Sequence, residues 1–89
     1  MLTREVTVRN RAGVHTRPAS MIVRTAAGFE SEFFIRKDGY EINGKSIIGV
    51  MTLAAEQGAT LELLFDGPDE TAAADAMEAL FEGSFGEEK

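Results

Sequence analysis

One histidine, His15, occurs in the chain of 89 residues, inside the stretch "NRAGVHTRPAS" and between Arg11 and Arg17. Pro18 follows shortly after it. Proline is tolerated in the first turn of a helix and not in its interior, so His15 is expected just before or at a helix start. Backbone N–H groups without intrahelical partners meet the positive end of the helix dipole there, and both favour an anion. Arg17 adds a planar fork of donors that matches phosphate oxygens. An imidazole attacks phosphorus through its neutral form, by the lone pair of a ring nitrogen. These residues leave two roles open for His15: a polar helix-start residue without chemistry, or a nucleophile that carries a phosphoryl group. General acid–base catalysis fits less well, because no carboxylate stands near it in the sequence.

The charge balance sets this stretch apart. The net charge is −6, which argues against nucleic acid as a partner. Residues 1–24 nevertheless carry five arginines against Glu5 alone, while residues 66–89 sum to −7 and read as the solvated surface of an acidic helix. Cysteine is absent, so disulfides and Cys-based metal sites are excluded, and one histidine cannot build a multi-histidine site within one chain. No metal and no cofactor are expected. Charges at Arg4 and Glu5 interrupt any signal-like apolar run, and nothing approaches a membrane span, so a cytoplasmic protein with no membrane partner is expected. The length suits a single domain over residues 1–89.

The elements that would position His15 follow from periodicity. "LTREVTV" alternates as a strand. Ala19, Ile22, Val23 and Ala26 form a helical apolar stripe over residues 16–27. "ESEFFIRK" and "YEIN" flank an Asp38-Gly39 pair that predicts a hairpin. "SIIGVMTLAAEQG" predicts a short helix from Ser46 that stops by Gly58. "TLELLF" is a strand with Leu61, Leu63 and Phe65 on one face. A last helix starts from Asp69 as N-cap, with Ala73, Ala76, Met77 and Leu80 as its stripe and Gly83 after its end. The order βαββαβα suits an α+β open-faced sandwich, with three helices on one face of a four-stranded antiparallel sheet.

The first of these helices has a second face, made by Arg17, Ser20, Met21 and Arg24. The second helix is too short to bury Ile47, Ile48 and Met51 along with Val50 and Leu53. Each surplus apolar residue taken singly suits a core; together with Met21 they point to an exposed apolar patch of the kind that meets partners.

Two stretches carry a family resemblance. "GVHTRPAS" resembles the active-site signature of HPr, the histidine-containing phosphocarrier family of the bacterial phosphoenolpyruvate:sugar phosphotransferase system, and "NGKSIIGVMTLAAEQG" resembles the stretch around that family's regulatory serine. "LFDGPDETAAADAMEAL" is similar to its final strand and helix, so the likeness spans essentially the whole chain. The resemblance implies that His15 accepts a phosphoryl group on Nδ1 from Enzyme I, that Arg17 steadies it, and that sugar-specific EIIA components receive it. It implies a stoichiometric carrier rather than an enzyme with its own turnover. Thr16 and Pro18 would support the phosphate, and Ser20, Met21, Arg24, Ile47, Ile48 and Met51 would meet partners. Ser46 suits a helix N-cap; by the resemblance it is also the residue that an ATP-dependent HPr kinase/phosphorylase modifies, with a catabolite-control transcription factor as a further partner. A phosphate there would add about −2 charge beside the apolar patch and weaken Enzyme I docking without unfolding the helix.

Departures from the pattern are few. Thr16 stands for an alanine, Val14 for a leucine, and Gly44 for a larger residue, which is expected to loosen the approach to the second helix. A nitrogen-related regulatory branch of the family is the main alternative, since "EALFEGSFGEEK" looks like that branch while "NGKSIIGVMTL" looks like the sugar branch. A non-catalytic regulatory binding module fits less well, having no need of His15 and Arg17 together. A carrier that meets several partners through one patch is expected to be a monomer.

Overall fold

The computed structural model describes residues 1–89, and its N-terminal alternating segment forms strand β1 (Leu2–Thr7). Asp38 and Gly39 turn the chain between β2 (Glu32–Lys37) and β3 (Tyr40–Asn43), both at positive φ (51° and 85°), as a two-residue hairpin of matching twist requires. β4 (Thr60–Asp66) completes a sheet of order β1-β4-β2-β3 in which every neighbouring pair is antiparallel. The last strand therefore lies between the first two, with Val6 opposite Leu61, Ile35 opposite Leu63, and Phe33 stacked on Phe65 at 4.8 Å between ring centroids. Helices α1 (Thr16–Ala27), α2 (Ile47–Thr52) and α3 (Glu70–Glu82) cover one face, which gives the expected open-faced α+β sandwich in the expected order. No helix is long and apolar enough to cross a membrane.

The buried face of α1 is Ala19, Ile22 and Ala26, with Val23 at its margin. In α3 the buried residues are Ala73, Ala74, Met77 and Phe81, while Ala76 and Leu80 are only partly covered, so the expected stripe is rotated. The cause is Phe81, whose ring meets that of Phe85 edge-on at 4.9 Å and draws its side of the helix inward.

Three further local expectations change. α2 ends at Thr52 rather than near Gly58: the Leu53 and Ala54 amides turn back onto Val50 and Met51, and Ala54 takes φ 48°, the left-handed backbone that stops a helix. The segment after it buries Leu53 and Ala55, and the Val14 amide donates to the Ala55 carbonyl at 2.8 Å. Gly13 makes this approach feasible, since it has φ 71° and a Cβ there would lie 2.6 Å from the Ala55 oxygen. Gly44 tightens its neighbourhood instead of loosening it. Its amide donates to the Phe33 carbonyl at 2.8 Å, and a Cβ would fall 2.2 Å from the Phe33 ring. Asp69 precedes α3 but makes no side-chain cap. Its carboxylate accepts instead from the Ser31 hydroxyl and from the Glu30 and Ser31 amides (2.8 and 2.9 Å), and these donors, the hydroxyl first, hold it below the usual carboxylate range.

Candidate functional site

His15 stands immediately before α1 in an extended conformation, and its carbonyl accepts from the Ala19 amide at 2.9 Å. Its side chain makes no capping bond to the helix. Pro18 is buried in the first turn and has no N–H to offer, so the Thr16 and Arg17 amides are the donors left without a backbone acceptor. The His15 side chain is 43% exposed, open enough for another protein to reach.

A carboxylate completes the surroundings, and it comes from the far end of the chain. After α3 the backbone makes a tight turn through Ser84 and Phe85, both left-handed (φ 55° and 54°), and Phe85 is buried in the core. The tail then crosses the loop before His15: the Arg11 amide donates to the Glu88 carbonyl at 2.8 Å. Glu87 is thereby set against His15, its Oε2 and Oε1 lying 2.8 and 3.0 Å from Nε2. Asn10 Nδ2 donates to Glu87 Oε1 and Arg17 Nη1 to Glu87 Oε2, each at 3.0 Å. Arg17 Nη1 also donates to the Phe85 carbonyl at 2.8 Å. The contact with His15, then the bonds from Asn10 and Arg17, hold the Glu87 carboxyl below its ordinary range against the opposing effect of burial.

This geometry selects a tautomer. An ionised carboxylate can only accept, so the proton of a neutral His15 ring lies on Nε2 facing Glu87, and Nδ1 keeps its lone pair. Nδ1 makes no hydrogen bond within the chain, and neither do Nε and Nη2 of Arg17. The site thus combines an unengaged ring nitrogen, two free backbone amides and two of the three nitrogens of a guanidinium.

The remaining sequence-derived residues divide. Thr16 is exposed, its hydroxyl without a partner. Arg11 faces Glu88 at 3.5 Å, so Arg17 is the one cation of the pair that flanks His15 to remain at the ring. Ser20 and Met21 are half-buried on the outer side of α1, and Arg24 is exposed in its last turn. Ile48 is 77% exposed, and with Ile47, Met51 and Thr52 it lines one shallow groove. Met21 lines others, one with Arg24 and Thr25, one with Arg17, Leu80 and Phe85, so the surplus apolar residues surround several grooves rather than one. Ser46 caps α2 as expected, its Oγ accepting from the Gly49 amide at 3.1 Å. No group of three or more His, Cys, Asp or Glu side chains is placed to hold a metal ion.

Sequence reasoning missed Asn10, Phe85 and Glu87. The reading of the acidic C-terminal segment as solvated surface fails at Glu87, and so does the absence of a carboxylate beside His15, because 72 residues separate the two in the chain. One signal was present: Phe85 is a lone aromatic in the polar tail "GSFGEEK", and an aromatic ring there favours a tail that folds back.

Residues 2–83 match the family described as PTS HPr component phosphorylation site. The chain is 50% identical over 88 residues to the phosphocarrier protein HPr of Treponema pallidum, spanning 99% of this chain and 100% of that one. The crystal structure of HPr-C-His from Thermoanaerobacter tengcongensis is similar at a TM-score of 0.96 and 39% identity, with 100% of each chain covered. Crh of Bacillus subtilis, whose crystal structure is described as a swapped, intertwined dimer, is similar at a TM-score of 0.76 and 37% identity over 94% of this chain and 97% of that one.

Proposed function

The chain belongs to the HPr family of phosphocarrier proteins of the phosphotransferase system, and on that premise we propose that His15 takes a phosphoryl group from phospho-Enzyme I and passes it to sugar-specific EIIA components. The observation that carries this reading is the unengaged Nδ1 of His15 at an uncapped helix start. The lone pair on Nδ1 attacks phosphorus while the donor's bond to phosphorus breaks in line. The Thr16 and Arg17 amides and the spare Arg17 nitrogens then face the phosphoryl oxygens. A site this exposed holds the group moderately, which suits a carrier that must also release it.

Donor and acceptor dock in turn over Ser20, Met21 and Arg24 of α1 and over Ile47, Ile48 and Met51 of α2, whose exposed apolar groups exclude water around the transfer. The protein works in the cytoplasm as a stoichiometric monomeric carrier, with no metal or nucleotide of its own. Ser46, at the start of α2, is the site for an HPr kinase/phosphorylase, and its phosphate weakens Enzyme I docking and recruits a catabolite-control transcription factor. The likeness to Crh, described as a catabolite repression HPr, favours this regulatory use of Ser46. It is also what supports a second reading, a regulatory binding module acting through Ser46 without phosphoryl transfer.

Incubation with phosphoenolpyruvate and Enzyme I, followed by intact mass spectrometry, separates the two. The carrier reading expects the mass of one acid-labile phosphoryl group, lost in His15→Ala. No incorporation from the cognate Enzyme I overturns it in favour of the binding module.

A further inference from the structure

The candidate site holds one group for which the phosphocarrier reading, on which this inference rests, has no assigned task. We propose that Glu87 is a positioning residue for phosphoryl transfer: its carboxylate holds the proton on His15 Nε2, leaves the Nδ1 lone pair free for phosphorus, and faces the ring where positive charge grows as the N–P bond forms.

The placement of Glu87 is built, not incidental. Its two oxygens are shared among three donors on different parts of the chain, Asn10 before the helix, His15 at its start and Arg17 in its first turn. Asn10 is fully buried and its Nδ2 also donates to the Gly13 carbonyl at 2.7 Å, so the loop that sets His15 and the tail that brings Glu87 share one anchor. The tail reaches this position through two successive left-handed non-glycine residues, Ser84 and Phe85. Such backbone persists only where the surroundings enforce it, and here they do: Phe85 is buried and its carbonyl accepts from Arg17. Glu87 itself lies four residues beyond the stretch that matches the family description, which ends at residue 83.

The chemistry gives this carboxylate a task. A neutral His15 ring reacts through the lone pair of Nδ1 and keeps its proton on Nε2. As the new N–P bond forms, the bond from phosphorus to the donor's leaving atom breaks and its electron pair departs with that atom. The phosphorylated ring still carries the Nε2 proton, so it becomes an imidazolium. Glu87 accepts from that N–H, and a hydrogen bond between ionised partners is stronger than one to a neutral ring. The contact therefore tightens along the reaction, which is the condition for accelerating it. Onward transfer reverses these changes and returns a neutral ring with the proton still on Nε2. Arg17 does not have to leave Glu87 to meet the phosphoryl group, because only Nη1 is used and Nε and Nη2 are free.

Two variants and two readouts test the assignment. Nitrogen-15 shifts of the His15 ring, measured where the ring is neutral, report the tautomer without any transfer. Glu87→Ala removes the acceptor, and we expect the Nε2–H population to fall and transfer from phospho-Enzyme I to slow by about tenfold or more. Glu87→Gln keeps an acceptor oxygen but no charge, so the tautomer is expected to persist while transfer still slows. The Phe85 ring resonances show whether the tail remains docked in each. An unchanged tautomer balance in Glu87→Ala together with an unchanged rate in Glu87→Gln overturns the inference and leaves the carrier function standing. A native chain that takes up no phosphate overturns the carrier reading, and the inference falls with it.

Discussion

His15 and Ser46 occupy the same position in their helices, one residue before α1 and one before α2, both in extended backbone. Ser46 spends its side chain on the helix: Oγ accepts from the Gly49 amide at 3.1 Å. His15 turns away from its helix toward Glu87, and the first-turn amides of α1 keep no side-chain partner. One helix start is closed by its own residue and the other is left open, with an arginine beside it. A helix dipole is present at both, and what distinguishes the two is whether the first-turn donors remain free.

The largest expected effect removes the cation at the open start. Arg17→Ala should slow phosphoryl transfer to His15 by about 100-fold, the usual cost of losing a donor aimed at transition-state charge. Single-turnover kinetics with phospho-Enzyme I measure it, and a loss below threefold would mean that the backbone amides suffice.

Next come changes at the closed start that act through docking. Ile48→Ser deletes an exposed side chain and should weaken Enzyme I binding by about tenfold while leaving stability within about 0.5 kcal/mol. Ser46→Asp adds charge beside the same residues and should weaken binding by a similar factor with the helix content unchanged. Calorimetric titration alongside circular dichroism separates docking from folding. Full-strength binding by either variant would remove α2 from the interface.

A smaller effect sharpens the comparison of caps. Ser46→Ala should cost about 1 kcal/mol, because the Gly49 amide loses its acceptor, and should lower the melting temperature by about 4–8 °C. His15→Ala should cost less, about 0.5 kcal/mol, since it caps nothing and gives up only its part-exposed contact with Glu87. Equal melting temperatures for the two variants would contradict the contrast between the helix starts.

The smallest effect concerns acid. Asp69 and Glu87 both ionise more readily in the folded chain than in the unfolded one, where 3.8 and 4.5 are the ordinary values. Their contribution to stability is therefore complete above those values and is lost as pH falls through the lower, folded-state ones. Thermal unfolding from pH 6 to pH 2.5 should show stability declining below about pH 4.5, and Asp69→Asn should flatten part of that decline. An unaltered slope in Asp69→Asn would assign the acid sensitivity elsewhere.

Much of this arrangement was legible because it is local. Alternation in "LTREVTV", the 3.6-residue spacing of Ala19, Ile22 and Ala26, and the Asp-Gly turn each declare themselves within a few residues. Pro18 placed the helix start, and with it His15, for the same reason. The misreadings arose where distant segments compete for one position. Ala76 and Leu80 fit the period of α3 as well as Ala74 and Phe81 do, and the choice was made by Phe85, which approaches from beyond the helix. Asp69 had the right type for an N-cap, yet its carboxylate went to Glu30 and Ser31, 39 and 38 residues away. Gly44 read as slack until the Phe33 ring filled the space where a Cβ would be.

From the sequence alone came the element order, the hairpin, the place of His15 at a helix start and the pairing of that residue with Arg17, since each depends on backbone preference or on neighbours within a turn. The tertiary structure decided which ring nitrogen faces outward. That depends on Glu87, carried to His15 by a buried phenylalanine and a left-handed turn, and no rule of local spacing reaches across the 72 residues between them.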